Sequence, residues 1–169
     1  MSVTAKYQRV VQPFEPIYNK NSKVLILGSF PSVKSREMGF YYGHKQNRFW
    51  KVLANILEVE EPVTVEEKKD ILLKHGIAVY DVIESCDIKG SSDSSIKNVV
   101  PADIRKIVAE SDIQVVVTNG RTADRMFQKY QSNSYKGVVL TMPSTSPANA
   151  AFSLERLVEI WRAGLKEYL

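Results

Sequence analysis

The sequence predicts an α/β protein, a three-layer α/β/α sandwich around a central four-stranded parallel sheet. Three observations predict it. Four short, β-branched apolar runs recur along the 169 residues without polar alternation, so they read as strands covered on both faces. Segments of helical periodicity separate them. Each run is followed by a polar or turn-rich stretch, and strands joined through crossover helices lie parallel.

In chain order, residues 1–22, with Pro13 and Pro16, read as an extended opening segment. The first strand is VLIL, Val24 to Leu27. The stretch GSFPSVKSREMGFYYGHKQNRFW, Gly28 to Trp50, follows it. Strand-to-helix connections usually take a handful of residues, so this one is too long and too aromatic to be only a connection; it reads as a binding surface. Phe49, Leu53, Ile56 and Leu57 then share a helical face, and Thr64 with Glu67 has capping-box spacing before a helix that Gly76 closes. The second strand is IAVYDVI, Ile77 to Ile83. The Ser- and Gly-bearing stretch from Ile88 to Asn98 reads as a surface loop. Pro101 suits the first turn of a helix reaching Ala109. Ile113 to Val117 and Val138 to Thr141 complete the strands, with a helix-compatible segment from Thr122 to Tyr130 between them. Leu154, Leu157, Val158, Trp161 and Leu165 line one face of a last helix. Trp50 and Trp161 fall in helix patterns as core residues.

The hydrophobic fraction of 44% and charged fraction of 25% are those of a globular chain, read as one domain over residues 1–169. No apolar run approaches the roughly 20 residues of a membrane span. The N-terminus lacks the apolar region of a signal peptide, so a cytoplasmic protein, nucleoid-associated in a prokaryote, is expected rather than a secreted one. One cysteine, Cys86, and two histidines cannot supply the usual zinc or iron–sulfur ligand sets, so no metal or other cofactor is expected. The excess of 23 Lys+Arg over 19 Asp+Glu is modest and compatible with nucleic-acid binding.

In a parallel sheet the segments after the strands emerge at one edge, where ligands bind. No phosphate loop, dinucleotide fingerprint or nucleophile elbow stands there. That edge instead collects aromatics (Phe30, Phe40, Tyr41, Tyr42), amides (Asn47, Asn119, Asn149), hydroxyls (Ser29, Ser32, Ser144, Ser146) and basic residues (Lys34, Arg36, Lys45, Arg48). Aromatics stack on bases, amides pair with base edges, and hydroxyls hold phosphates. The set suits an extruded nucleotide. Structural readings stand beside it: Asn47 is a favoured helix cap, Asn119 begins an Asn-Gly turn pair, His44 suits a solvent-facing loop, and Asp81 suits a backbone contact.

GSFPS, then FYYGHKQNRFW, then MPSTSPANA, with GIAVYDVIESC and DSSIKN between them, resemble the uracil-DNA glycosylase superfamily. The likeness runs from Val24 to Trp161 and is to its hypoxanthine (deoxyinosine) DNA glycosylase branch, related to the mismatch-specific uracil glycosylases. The resemblance implies the uracil-DNA glycosylase-like fold and a monofunctional, cofactor-free enzyme. Such an enzyme flips a deaminated base out of double- or single-stranded DNA, hypoxanthine first and uracil or xanthine second, and hydrolyses its N-glycosidic bond. A monomer is expected, with no membrane association.

In the superfamily the first motif often carries an Asp or Asn that positions the attacking water, at or just after the place of Phe30. GSFPS has neither, so Asn47 is expected to orient the water instead. Phe30 and Tyr42 are expected to stack on the base, Asn119 to contact its edge, and His44 to assist its departure. Ser144 and Ser146 are expected on phosphates, Asn149 in the minor-groove turn from Pro147 to Ala151, and Ser29, Ser32 and Lys45 as further DNA contacts. Two alternatives remain at this level: a mismatch-specific uracil glycosylase, or a catalytically silent DNA- or nucleotide-binding module of the same fold.

Overall fold

The computed structural model describes residues 6–169. The first five residues of the opening segment lie outside them. Four parallel strands form the central sheet in the order β3-β2-β6-β7: β2 (Val24–Gly28), β3 (Ile77–Asp81), β6 (Val115–Asn119) and β7 (Val138–Met142). Every residue of β2 and β3 is buried, as continuous apolar runs require. β7 differs from that expectation. Like β3 it is an edge strand, but unlike β3 it is only partly covered, with Val138 48% exposed.

The register sets the working edge of the sheet. Gly28 pairs with Asp81, Leu27 with Thr118, and Asn119 with Met142, so the strands end nearly level. Helices flank the sheet: α1 (Val33–Met38), α2 (Phe49–Leu57), α3 (Val65–Lys74), α4 (Ile104–Glu110), α5 (Arg121–Tyr130) and α6 (Leu154–Leu165). Their starts follow local chemistry. Ser32, Thr64, Asp103 and Ser153 each accept a hydrogen bond from the backbone N–H three residues on, satisfying a donor the helix start leaves free. The Glu67 carboxylate reaches back to the Val63 N–H, and Gly76 leaves α3 at φ +71°, so the capping pattern read from the sequence forms. Among the described residues no helix is long and apolar enough to cross a membrane.

Three expectations need correction. The opening segment contains a strand, β1 (Tyr7–Val11), which joins β4 (Ile83–Lys89) and β5 (Lys97–Pro101) in a second, antiparallel sheet ordered β1-β4-β5. Asp81 and Ile83 thus belong to different sheets, the chain crossing between them at Val82. Secondly, the stretch from Ile88 to Asn98 is a loop only at its centre, where a 3-10 turn spans Asp93–Ser95. β1 and β5 are mostly exposed polar strands formed by backbone pairing, so apolar periodicity could not reveal them. Thirdly, Pro101 ends β5, and α4 starts three residues later from Asp103.

The aromatics of the long stretch after β2 divide between core and cleft. Phe40 stacks on Trp50 with centroids 6.1 Å apart, the Trp50 ring is edge-on to Phe49, and Phe49 is edge-on to Trp161 of α6. Tyr41 is 2% exposed, and its hydroxyl donates to the Glu15 carbonyl at 2.8 Å. Trp50 and Trp161 are buried, as their helix patterns predicted. Much of the segment's aromatic content therefore anchors the loop, leaving its polar residues fixed above the sheet edge.

Candidate active site

One cleft of about 1070 Å³ opens where the strands of the central sheet end. From the β2 side Ser29, Phe30 and Ser32 line it; Tyr42, His44 and Asn47 enter from the loop before α2. Asn119 stands at the end of β6, and Ser144, Ser146 and Asn149 come from the segment after β7. Ten of the eleven site residues expected from the sequence thus border one space. The exception is Lys45, which is exposed beside the cleft rather than lining it. Phe40 is buried behind it.

A hydrogen-bonded chain links the far sides of this cleft. Asn47 Oδ1 accepts from the Phe49 N–H and from the Thr145 hydroxyl, both at 2.9 Å. Thr145 Oγ1 in turn accepts from Asn119 Nδ2 at 3.0 Å, and the Thr145 N–H donates to Asn119 Oδ1 at 3.1 Å. Both amide oxygens are thereby turned into the protein. The ends left for a ligand are N–H donors, the Nδ2 of Asn47 and the second N–H of Asn119. Asn47 is not the cap the sequence allowed, since Arg48 holds the N-cap position of α2; Asn47 stands one residue before it, and its bond from the Phe49 N–H fixes which end of its amide faces the cleft. Thr145, fully buried at the centre of this chain, was missed in the sequence because PSTSP reads as a run of interchangeable small hydroxyls.

The segment after β7 is held by Arg48. Its guanidinium donates to the carbonyls of Ser146 at 2.9 Å, of Asn149 at 3.1 Å and of Phe152. Arg48, read from the sequence only as one of the basic residues of this edge, is therefore a clamp. Arg36 is likewise engaged, donating to the Gly90 carbonyl while its guanidinium lies 6.0 Å from the Phe30 ring centre. Within the clamped loop Ser144 Oγ accepts from the Ser146 N–H and Ser146 Oγ from the Ala148 N–H, which leaves both hydroxyl protons free to donate outward. Asn149 Nδ2 donates to the Ser144 carbonyl. Ser29 donates to Asp93, and Ser32 caps α1, so these two hydroxyls serve the protein first.

The floor of the cleft is less neutral than the sequence indicated. Asp81 is 3% exposed, and Gln12 Nε2 donates to its Oδ2 at 2.6 Å. Burial raises its carboxyl to a pKa of about 7, with the Asp93 charge pushing the same way and the Gln12 amide opposing. The Tyr42 hydroxyl, buried and without a hydrogen-bond partner among the described residues, has its ionisation pushed up by desolvation and then by Asp81. Tyr42 sits at φ +53° with its ring stacked on Phe49 at 4.1 Å, so one ring face is committed to the core. His44 Nδ1 accepts from the Gln46 N–H, leaving Nε2 as its other nitrogen. Among the described residues no group of three His, Cys, Asp or Glu side chains could hold a metal.

Comparison with known proteins follows the same outline. The uracil DNA glycosylase superfamily pattern matches residues 15–163. A Methanosarcina acetivorans protein named hypoxanthine DNA glycosylase is 32% identical over 154 residues, covering 89% of this chain and 94% of its own. A protein of the same name from Methanosarcina barkeri is 29% identical, covering 82% of this chain and 87% of its own. A solution NMR structure of a uracil DNA glycosylase candidate from Methanosarcina acetivorans superposes with a TM-score of 0.76 at 28% identity, over 91% of this chain and 96% of that one. The match over nearly the whole chain, on a four-stranded parallel sheet whose ends carry the cleft, places this chain in the uracil DNA glycosylase superfamily.

Proposed function

We propose that the protein is a monofunctional DNA glycosylase for deaminated bases, hypoxanthine first and uracil or xanthine second. The observation that carries the reading is the pair of inward-locked amides, Asn47 and Asn119, which present donors to one cleft through Thr145. Deamination replaces an exocyclic amine by a carbonyl oxygen. An N–H donor from Asn119 matches that oxygen and opposes the amine of adenine or cytosine, which leaves a donor facing a donor. The relatives named hypoxanthine DNA glycosylases support the substrate class.

Asn47 Nδ2 holds the attacking water by donating to its oxygen. An amide does not remove a proton, so the C1′–N bond must loosen largely on its own, which favours bases that leave well. Fixed donors help by stabilising the charge that grows on the departing base, each worth about 2.7–4 kcal/mol of barrier. Phe30, 8% exposed at the cleft wall, and the Tyr42 edge bracket the base, and the hydroxyls of Ser144 and Ser146 donate to the DNA backbone. Extrusion itself costs a few kcal/mol and least at a mispaired base.

Excision from end-labelled duplexes bearing one hypoxanthine, uracil or xanthine, followed by alkali, tests this. Cleavage at hypoxanthine, lost with Asn47→Ala, is expected. A second reading, the silent DNA-binding module, is favoured by the absence of any carboxylate or amide from GSFPS; duplex binding without cleavage at any base would establish it.

A further inference from the structure

GSFPS leaves the reaction without the acceptor that a water nucleophile needs, and Asn47 does not replace it. Its Oδ1 already accepts two hydrogen bonds, from Phe49 N–H and Thr145 Oγ1. Two carboxylates border the cleft. Asp93 lies on the exposed 3-10 turn, while Asp81 stands at the end of β3 on the floor.

The register brings Asp81 directly beside Gly28, the first residue of GSFPS. A Cβ on Gly28 would come within 2.6 Å of Asp81 Oδ1 and 3.2 Å of the Tyr42 hydroxyl, so both oxygens crowd the backbone where the motif begins. Glycine is what admits the carboxylate there. Gln12 fixes Oδ2 from the segment after β1; the Gly28 backbone also hydrogen-bonds the carboxylate, and Oδ1 receives no side-chain donor among the described residues. The buried Tyr42 hydroxyl crowds the same point of the Gly28 backbone, beside the Asn119 amide, and can donate to whatever Oδ1 holds.

We propose that Asp81, reaching across from the neighbouring strand, is the proton acceptor for the attacking water and replaces the polar residue missing from GSFPS. The proposal rests on the glycosylase reading. Water oxygen bonds to C1′ as the C1′–N9 bond breaks with its electron pair leaving on the purine. The water proton passes to Asp81 Oδ1, and the carboxyl then gives it to the departed base or to bulk water, restoring the carboxylate.

The surroundings bring this carboxyl's titration close to neutrality. Tyr41 and Tyr42 from the loop and Tyr80 on its own strand are held neutral by burial, Gln12 and Asn119 carry no charge, and Asp93 is the charge that bears on Asp81. A base poised at about 7 is matched to proton abstraction at physiological pH.

Single-turnover excision of hypoxanthine from a duplex, with enzyme in excess and pH varied from about 5.5 to 9, tests the assignment. The wild-type rate is expected to rise close to tenfold per unit below neutrality and level off above about pH 7. Asp81→Asn is expected to bind the duplex normally, lose roughly 10²–10⁴-fold in rate, and lose that pH dependence. A rate within a few-fold of wild type in Asp81→Asn overturns the proposal while the glycosylase reading stands. A wild-type rate that falls through neutrality also overturns it, since a protonated donor would then be the active form, and this needs no variant to fold. If the wild type excises no deaminated base at all, both readings fall together.

Discussion

At the scale of single residues, Thr145 decides how the two amides of the cleft are used. Removing its hydroxyl while keeping its volume, as in Thr145→Val, unlocks Asn47 and Asn119 and lets either amide turn over. A loss of about 10–100-fold in excision rate is expected, with stability reduced by about 1–2 kcal/mol for the missing hydrogen bonds. Comparing excision rates with denaturant midpoints checks it, because a purely structural Thr145 would lower both in proportion.

Asp81 has a cost that belongs to the same scale. Its folded pKa, about 7, lies above the ordinary carboxylate value of 3.8, so the folded state binds the proton more tightly than the unfolded one. The stabilisation from protonation is complete below about pH 3.8 and is lost as pH rises through about 7. Asp81→Asn removes the buried charge and is therefore expected to melt above wild type at pH 8, the difference shrinking toward pH 4. Thermal melts across that range test it. A difference independent of pH would mean that Asp81 is not buried as a titrating group. Greater stability bought at the expense of activity is the usual pattern for a functional buried charge.

At the scale of elements, the loop after β7 depends on α2's first turn. Arg48 donates its guanidinium to three loop carbonyls, and its own N–H donates to the Thr145 carbonyl at 3.0 Å. Arg48→Ala should cost about 2–4 kcal/mol, since three carbonyls lose a charged donor. Arg48→Lys should rescue little of it, because an ammonium lacks the planar fork that spans several acceptors. Limited proteolysis between Pro143 and Phe152, alongside denaturant unfolding, reads both. Cleavage rates unchanged from wild type would show that the loop holds itself.

The same scale shows what was legible in the sequence. The strands of the parallel sheet were visible because burial on both faces demands continuous apolar runs, and Thr64 marks a helix start by side-chain chemistry that is local. β1 and β5 were not visible. Their pairing partners are far away in the chain, and YQRVV and KNVVP carry no apolar face to advertise them. The cleft residues were legible as a set, since strand ends in a parallel sheet converge whatever follows them. Their individual duties were not: Arg48 stood only among the basic residues of the cleft and is bonded to loop carbonyls, and Asp81 looked structural until its register beside Gly28 placed it on the cleft floor.

At the scale of the whole molecule, the working surface is one edge of a single parallel sheet, widened by a loop whose aromatics are rooted in the core. The chain carries a net charge of +4, so attraction to DNA is expected to depend on a few local contacts rather than on a strong overall field. The measurement that tests the account most directly is excision from duplexes carrying one hypoxanthine, uracil or xanthine, with Asn47→Ala as control. Alkali-sensitive cleavage at hypoxanthine, weaker at the other two and lost in the variant, is the predicted result. Tight binding to all three duplexes with no abasic site formed at any of them would contradict it.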